Sequence, residues 1–269
     1  MQENVKLIDL MIELVDARVP LASRNPDIDE LARGKYRIVL MNKSDLADSV
    51  HNAQWNAYFE EKGIHALEVN SKTGAGVKAL NGMVLKVCAE KIERDRKRGI
   101  LNRPVRAMVA GIPNVGKSTF INSFAGKACA KTGNKPGVTK GKQWIRLNKN
   151  LELLDTPGIL WPKFEDQHTG MLLAFIGSMN DEVIVIEELA CDLLKLLQEY
   201  YPDAVSSRYG ISCEGGAADV LERIARARGC LLKKDAVDME RAAGLLVDDF
   251  RNGRLGRMTL ERYAGLGNK

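Results

Sequence analysis

The stretch Gly111-Ile-Pro-Asn-Val-Gly-Lys-Ser118 constrains this chain more than any other. Arg106-Ala-Met-Val-Ala110 before it reads as a short buried strand, and Thr119-Phe-Ile-Asn-Ser-Phe124 after it reads as a helix. Strand, glycine-rich turn and helix in that order is the setting that a Walker A loop requires. Gly111 and Gly116 are expected to let the backbone curl through φ values that a side chain would block. Inward-turned N–H groups and the helix N-terminus then cradle phosphate. Lys117 would reach the β- and γ-phosphates and Ser118 would ligate Mg²⁺, with Asn114, Val115, Gly116 and Thr119 completing the cradle. Such a loop implies an α/β fold, a mostly parallel sheet flanked by helices.

Leu151-Glu-Leu-Leu-Asp155-Thr-Pro-Gly158 supplies the next part. An alternating strand carries Asp155 to its carboxyl end, where open α/β sheets bind ligands. Asp155 would hold Mg²⁺ through water, and the Gly158 N–H would contact the γ-phosphate and sense its loss. Alone, Asp-Thr-Pro-Gly is also a common strand-ending turn; its place downstream of a Walker loop favours the nucleotide reading. Between the two lies Lys131-Thr-Gly-Asn-Lys-Pro-Gly-Val-Thr139-Lys-Gly-Lys142, glycine-rich, basic and without apolar periodicity. Thr139 is the expected second hydroxyl ligand for Mg²⁺; Thr132 competes, and Thr139 is preferred because it follows Pro136-Gly137. Gln143–Leu147 and Leu151–Leu154 are expected to pair as a hairpin around Asn148-Lys149-Asn150.

A base-reading motif stands upstream. Tyr36-Arg-Ile-Val-Leu-Met41 reads as a buried strand and Asn42-Lys43-Ser44-Asp45 follows it. A carboxylate at Asp45 accepts from guanine N1–H and the N2 amine. Adenine lacks that donor pattern and would leave the carboxylate unpaired, so rejection should be strong. Lys43 would lay its stem over the base, and Asn42 would tie the base loop to the phosphate loop. Leu67-Glu-Val-Asn70-Ser71-Lys72-Thr73-Gly74 is a third strand ending in a turn. Asn70, Ser71 and Lys72 resemble the S-A-K motif, whose backbone N–H groups meet guanine O6. In an ordinary small GTPase the phosphate loop precedes the base motif. Here the parts come in the reverse order, so the chain reads as a circularly permuted P-loop GTPase.

Three stretches carry a closer resemblance: Asp16-Ala-Arg18-Val-Pro20-Leu-Ala-Ser-Arg24-Asn25-Pro26, the run Gly-Ile-Pro-Asn-Val-Gly-Lys-Ser, and Leu154-Asp-Thr-Pro-Gly-Ile-Leu-Trp-Pro-Lys-Phe164. With them the chain resembles the ribosome biogenesis GTPase A family (YlqF/RbgA type). That resemblance implies a bacterial or organellar factor acting late in maturation of the large ribosomal subunit. It also implies an N-terminal Phe-Pro-Gly-His segment with a histidine proposed to act in catalysis. These 269 residues do not contain that sequence, and none of His51, His65 and His168 stands in such a context. Ile159 follows Asp-Thr-Pro-Gly where Ras-like enzymes place a water-orienting glutamine. A hydrocarbon side chain cannot orient water, so the intrinsic rate should be low, with the ribosome as the implied source of the missing function. Asn114 resembles the asparagine that helps bind K⁺ in related GTPases, which makes Lys117, Asn114 and Gly158 the candidate catalytic groups.

Net charge is +5 over 269 residues, mildly basic and short of a dedicated nucleic-acid binder. Its distribution says more: Lys127 to Lys142 holds five lysines and no acid. Glu90-Lys-Ile-Glu-Arg-Asp-Arg-Lys-Arg98, joining the base half to the phosphate half, is also dense in charge. Five cysteines without C-x-x-C spacing argue against a disulfide framework or zinc site, and no apolar run reaches membrane-spanning length. A reduced intracellular setting is expected, cytoplasmic in a bacterium or mitochondrial for an organellar member, with a monomer as default and no membrane partner.

The expected domains are 1–178, the permuted G domain, and 179–269, a small all-α domain. Glu187–Tyr201 reads as an amphipathic helix with Leu189, Leu193, Leu196, Leu197 and Tyr200 on one face, stopped by Pro202. Ala217–Arg228 and Asp235–Asn252 read as two more, the last ended by Gly253. Arg223, Arg226, Arg228, Lys233, Lys234, Arg251, Arg254 and Arg257 could grip rRNA phosphates; a solvated helical cap is the plainer alternative. Two functions follow: a ribosome-stimulated GTPase using GTP/GDP, Mg²⁺ and K⁺, with rRNA and ribosomal proteins as partners, or a nucleotide-gated RNA-binding module with little hydrolysis of its own. A tRNA-modification GTPase is disfavoured because no second catalytic domain is present, and an ATPase by Asp45.

Overall fold

In the computed structural model, which describes residues 5–101, 103–126, 143–155, 166–180 and 184–263, a six-stranded sheet runs in the order β3-β2-β1-β4-β6-β5. The strands are β1 (Leu10–Asp16), β2 (Tyr36–Asn42), β3 (His65–Val69), β4 (Val105–Ala110), β5 (Gln143–Arg146) and β6 (Leu151–Asp155). All neighbours pair parallel except β5, which is antiparallel to β6 as the hairpin reading expects.

β1 sits in the middle, and all seven of its residues are buried. A strand covered on both faces needs a nearly continuous apolar run, and Leu-Met-Ile-Glu-Leu-Val-Asp is that run with two exceptions. Leu10, Ile12 and Leu14 face one side with Ile38, Leu40, Ala107, Val109, Leu151 and Leu153. Met11 and Val15 face the other, where α1 (Ile28–Leu31) brings Ile28 and α2 (Ser49–Glu61) brings Trp55 and Phe59. The exception on that second face is Glu13, held by Arg24 and Arg37, which both also reach Asp29. Burial pushes the Glu13 carboxyl up against the pull of the two guanidiniums.

On the first face pack α3 (Ala79–Val87), α5 (Lys117–Ala125) and α6 (Gln167–Phe175). The charged joining segment is itself a helix, α4 (Ala89–Lys97), anchored by Lys91, which reaches Asp9 and Asp95. Among the described residues, helices then follow without strands: α7 (Ile186–Tyr200), α8 (Pro202–Tyr209), α9 (Ala217–Ala227) and α10 (Met239–Arg251). Their apolar residues, Leu193, Val220, Leu246 and Phe250 among them, join the cluster on the first sheet face. The apolar core is therefore continuous past residue 178, the expected domain limit, which falls in the turn after α6.

Three readings of the helical region change. Pro202 ends α7 but also opens α8, because proline suits the first helical position, where no N–H bond is lost. α10 begins at Met239 rather than Asp235: Asp238 accepts from Arg241 N and caps the helix, while Lys234 and Asp235 take left-handed φ values. On α7 the buried arc is Leu189, Ala190, Leu193, Leu194 and Leu197, with Leu196 only partly covered, since helices press on more than one side.

Candidate functional site

Parallel pairing brings the carboxyl ends of β1, β2, β3, β4 and β6 to one sheet edge. Asp16, Asn42, Asn70, Gly111 and Asp155 stand at or just beyond those ends. The order of the strands reverses between β1 and β4, and ligands of open α/β sheets bind in the crevice at such a point.

After β4 the chain turns sharply, with Asn114 at φ 62° and Gly116 at φ 96°. A Cβ on Gly116 would lie 2.4 Å from Asn42 Nδ2, and one on Gly111 would lie 2.9 Å from Leu14 O. At Gly111, then, crowding rather than φ demands glycine. Lys117 opens α5 and is nearly buried; Ser118 is half-buried and Thr119 exposed in the first turn. Helix α5 thereby aims its N-terminus at the turn, with the partial positive charge that favours phosphate.

Asn42 joins three loops. Its Nδ2 donates to Val115 O at 2.6 Å, and its Oδ1 accepts from Ser71 N at 3.0 Å. Val115 and Ser71 are thus held at a set distance by one buried amide. Beyond it Lys43 adopts φ 58° and its Nζ donates to Asn114 O at 3.0 Å. Asp45 is exposed in the turn that follows, and Ser44 fastens that turn through N and Oγ to Val69 O. Asn70 Oδ1 accepts from Lys72 N and Thr73 N, the local side-chain turn that shapes this loop. Ser71 Oγ is a buried hydroxyl without a hydrogen-bond partner among the described residues.

Asp155 closes β6 opposite Gln143. Thr139, Gly158 and Ile159 lie outside the described residues, as does the side chain of Asp155. The glycine-lined turn, Lys117 and the helix end fit a nucleotide phosphate. The Ser118 hydroxyl and a carboxylate at Asp155 are hard oxygen donors of the kind Mg²⁺ takes.

The motifs did not disclose the roles of Asp16 and Arg18. Asp16, fully buried, accepts from Arg18 Nε and Nη2 at 2.9 and 2.8 Å and lies 2.9 Å from Lys43 Nζ. Burial alone would raise its pKa, but the Arg18 guanidinium and Lys43 ammonium hold it far below the usual carboxylate range. The available signal was an acid at the end of a fully buried central strand.

A phosphate turn on β4 and base-type turns on β2 and β3, collected at one sheet edge in permuted chain order, define a circularly permuted P-loop GTPase. A family model described as "50S ribosome-binding GTPase" matches residues 106–204. Ribosome biogenesis GTPase A of Bacillus cereus is 44% identical over 260 residues, covering 96% of this chain and 88% of that protein. The protein of the same name from Bacillus pumilus is 40% identical over 97% of this chain and 93% of its own length. A GDP-bound structure of YlqF superposes with a TM-score of 0.70 at 27% identity, covering 97% of both chains. The crystal structure of GNP-bound YlqF from T. maritima gives 0.68 at 29% identity, over 97% of this chain and 95% of that one. The chain belongs to the ribosome biogenesis GTPase A family.

Proposed function

We propose that this GTPase binds GTP with Mg²⁺, docks on an immature large ribosomal subunit late in its maturation, and leaves after hydrolysis. The observation that carries the nucleotide part is the Asn42 amide, which ties Val115 in the phosphate turn to Ser71 in the base turn. The two halves are thereby set for one ligand with a phosphate end and a base end.

In this reading Asp45 accepts from the guanine N1–H and N2 amine, Lys43 covers the base, and the backbone of Asn70, Ser71 and Lys72 meets guanine O6. Gly116, Lys117, Ser118 and Thr119 surround the phosphates. Ser118, Thr139 and Asp155 hold Mg²⁺, which when bound neutralises charge on the β- and γ-oxygens. Gly158 reads the γ-phosphate. The Asn114 amide nitrogen donates to Gly177 O at 2.7 Å, which leaves its oxygen as the atom for K⁺. Residues 1–178 serve as the G domain and 179–269 as the RNA-facing part, in the cytoplasm of a bacterium, acting as a monomer.

The RNA face is narrower than charge counting suggests. Arg251 donates to Ala174 O and Phe175 O, and Arg254 pairs with Asp248 and Asp249, so both serve the fold. Arg226, Arg228, Lys233, Lys234 and Arg257 are exposed.

Ile159 keeps a second reading in play, a nucleotide-gated RNA binder with negligible turnover. The GTP hydrolysis rate in K⁺ buffer, with and without purified large subunits, separates the two. Strong stimulation by the subunits is expected; a flat, near-zero rate with intact GTP binding would favour the second reading.

A further inference from the structure

Asp16, the last residue of β1, and Arg18 in the turn after it lie behind the proposed nucleotide loops rather than in them. All the acceptor capacity of Asp16 is used. Oδ1 takes Arg18 N at 3.1 Å and Arg18 Nε at 2.9 Å; Oδ2 takes Arg18 Nη2 at 2.8 Å and Lys43 Nζ at 2.9 Å. A buried carboxylate survives only when paired in this way. The Lys43 ammonium is thus shared between Asp16 and the carbonyl of Asn114, which pins the base turn against the phosphate turn.

Arg18 extends the connection in the opposite direction. Its side chain is 1% exposed, and Nη1 reaches Phe250 O at 3.4 Å and Arg251 O at 3.2 Å, the last carbonyls of α10. A cation at a helix C-terminus is favoured by the unsatisfied carbonyls there. Its ring-facing side stacks over Phe250 at 5.1 Å. Arg251 in turn donates to the end of α6, and a Cβ on Gly177 would meet Arg251 Nε at 3.2 Å. Gly177 O is the group that accepts from the Asn114 side chain. The path closes on itself: Asn114, Lys43, Asp16, Arg18, α10, Arg251, Gly177 and back to Asn114.

The segment after α10 strengthens the same joint. Met258 N donates to Leu46 O, one residue beyond Asp45, and Leu260 N donates to Arg18 O, both at 2.9 Å. Asp48 N donates to Thr259 Oγ1 at 3.1 Å. The base turn is therefore backed at Leu46 and Asp48 by the segment after α10.

We propose that Asp16 and Arg18 are positioning residues for nucleotide binding, Asp16 by fixing the Lys43 ammonium and Arg18 by tying that carboxylate to the end of α10, so that guanine-nucleotide affinity and the seating of the C-terminal helical region are energetically coupled. This rests on the nucleotide reading of Lys43, Asp45 and Asn114. Coupling of this sort is reciprocal: whatever docks on or shifts the helical region changes nucleotide affinity by the same factor as nucleotide changes its docking. The physical warrant is one contiguous set of polar contacts, buried at Asp16 and Arg18 and exposed at Asn114, in which the same Asp16 carboxylate holds both Lys43 and Arg18.

The test uses the full chain and a fluorescent GDP, with dissociation followed far below the melting temperature. Asp16→Asn keeps the side chain's shape and removes its charge; Arg18→Lys keeps the charge but loses the fork that reaches two partners at once. Both should release GDP faster, on the order of ten-fold, and both should still prefer guanine to xanthine. Asp45→Asn, the control, should instead lose guanine selectivity and gain xanthosine diphosphate. Hydrogen exchange on the unaltered protein adds a readout needing no variant: GDP should slow exchange at Met258 and Leu260, and in Arg18→Lys that protection should vanish. If Asp16→Asn and Arg18→Lys release GDP as the parent does while Asp45→Asn fails to hold it, the proposal is overturned and the site stands. If exchange of Met258 and Leu260 in the parent ignores GDP, the coupling is overturned. If Asp45→Asn also binds GDP normally, the site reading and the proposal fall together.

Discussion

At the scale of the residue, a few close approaches decide whether the nucleotide site forms. Gly116 combines a left-handed φ of 96° with a Cβ position 2.4 Å from Asn42 Nδ2. Gly116→Ala would impose backbone strain of about 1–3 kcal/mol and also push Asn42 away from Val115 and Ser71. The expected result is a lower melting temperature together with GDP binding weakened well beyond what the stability loss explains, measured by calorimetry and equilibrium titration. Normal GDP affinity in a folded variant would contradict the placing of Asn42. The need for glycine at 116 was legible from the motif. The tie from Asn42 to the phosphate loop was legible too; its second contact, accepting from Ser71 N, was not, because strand pairing brings that turn beside Asn42. Asp16 escaped for the same reason: its partner Lys43 follows a different strand.

At the scale of the element, the segment following α10 works as a clasp. Glu261 accepts from Leu21 N and Ala22 N, Trp55 Nε1 donates to Glu261 O at 3.0 Å, and Tyr263 packs on Trp55 and Tyr58. Burial pushes the Glu261 carboxyl up to about 7, against the pull of those two N–H groups. The folded protein therefore keeps this proton between about pH 4.5 and 7, where the unfolded chain has released it. Stability should fall through that window as pH rises, by about 3 kcal/mol at most. Glu261→Gln removes the titration: relative to the parent it should gain in melting temperature from pH 5 to pH 8. A constant difference across that range would show that Glu261 does not titrate there. Helix periodicity located α7 and α9 and the body of α10, since amphipathic spacing is a local signal. It was silent on the clasp, an irregular segment whose hydrogen bonds run to residues more than two hundred positions away.

At the scale of the whole molecule, the permuted order costs the fold nothing in geometry. Parallel pairing places every strand end at one edge, whichever strand the chain visits first. The consequence is that β1, with Asp16, sits at the centre of the sheet and its following turn meets the C-terminal helices. One face of those helices remains charged. Replacing Arg226 and Arg228 together with alanine should weaken binding to large subunits and flatten its salt dependence, since each lost phosphate contact lowers the slope. The ion pair of Arg226 with Glu222 is exposed and adds little, while Arg228 donates to Arg208 O at 2.8 Å and lies over the Tyr209 ring, so a small loss of stability should accompany the binding effect. A double variant that keeps the parent's affinity and salt dependence between about 50 and 200 mM salt would remove this face from the RNA reading.

By itself the sequence determined the class: glycines at two spacings, a lysine and serine after them, and Asn-Lys-x-Asp placed upstream, each a local pattern whose chemistry follows from side chains and neighbours. It also determined β2, β3, β4 and β6 and the helices α7, α9 and α10, because apolar periodicity is written within each segment; it did not disclose β1 or α8. Only the tertiary structure decided that Asn42 also holds Ser71, that Arg251 serves carbonyls of α6 instead of facing solvent, that Asp16 and Arg18 link Lys43 to the end of α10, and that Glu261 fastens the segment after α10 to the turn after β1. Those are contacts between positions far apart in the chain, and the pairing of buried charge is settled by where folding brings the partners, not by the residues on either side.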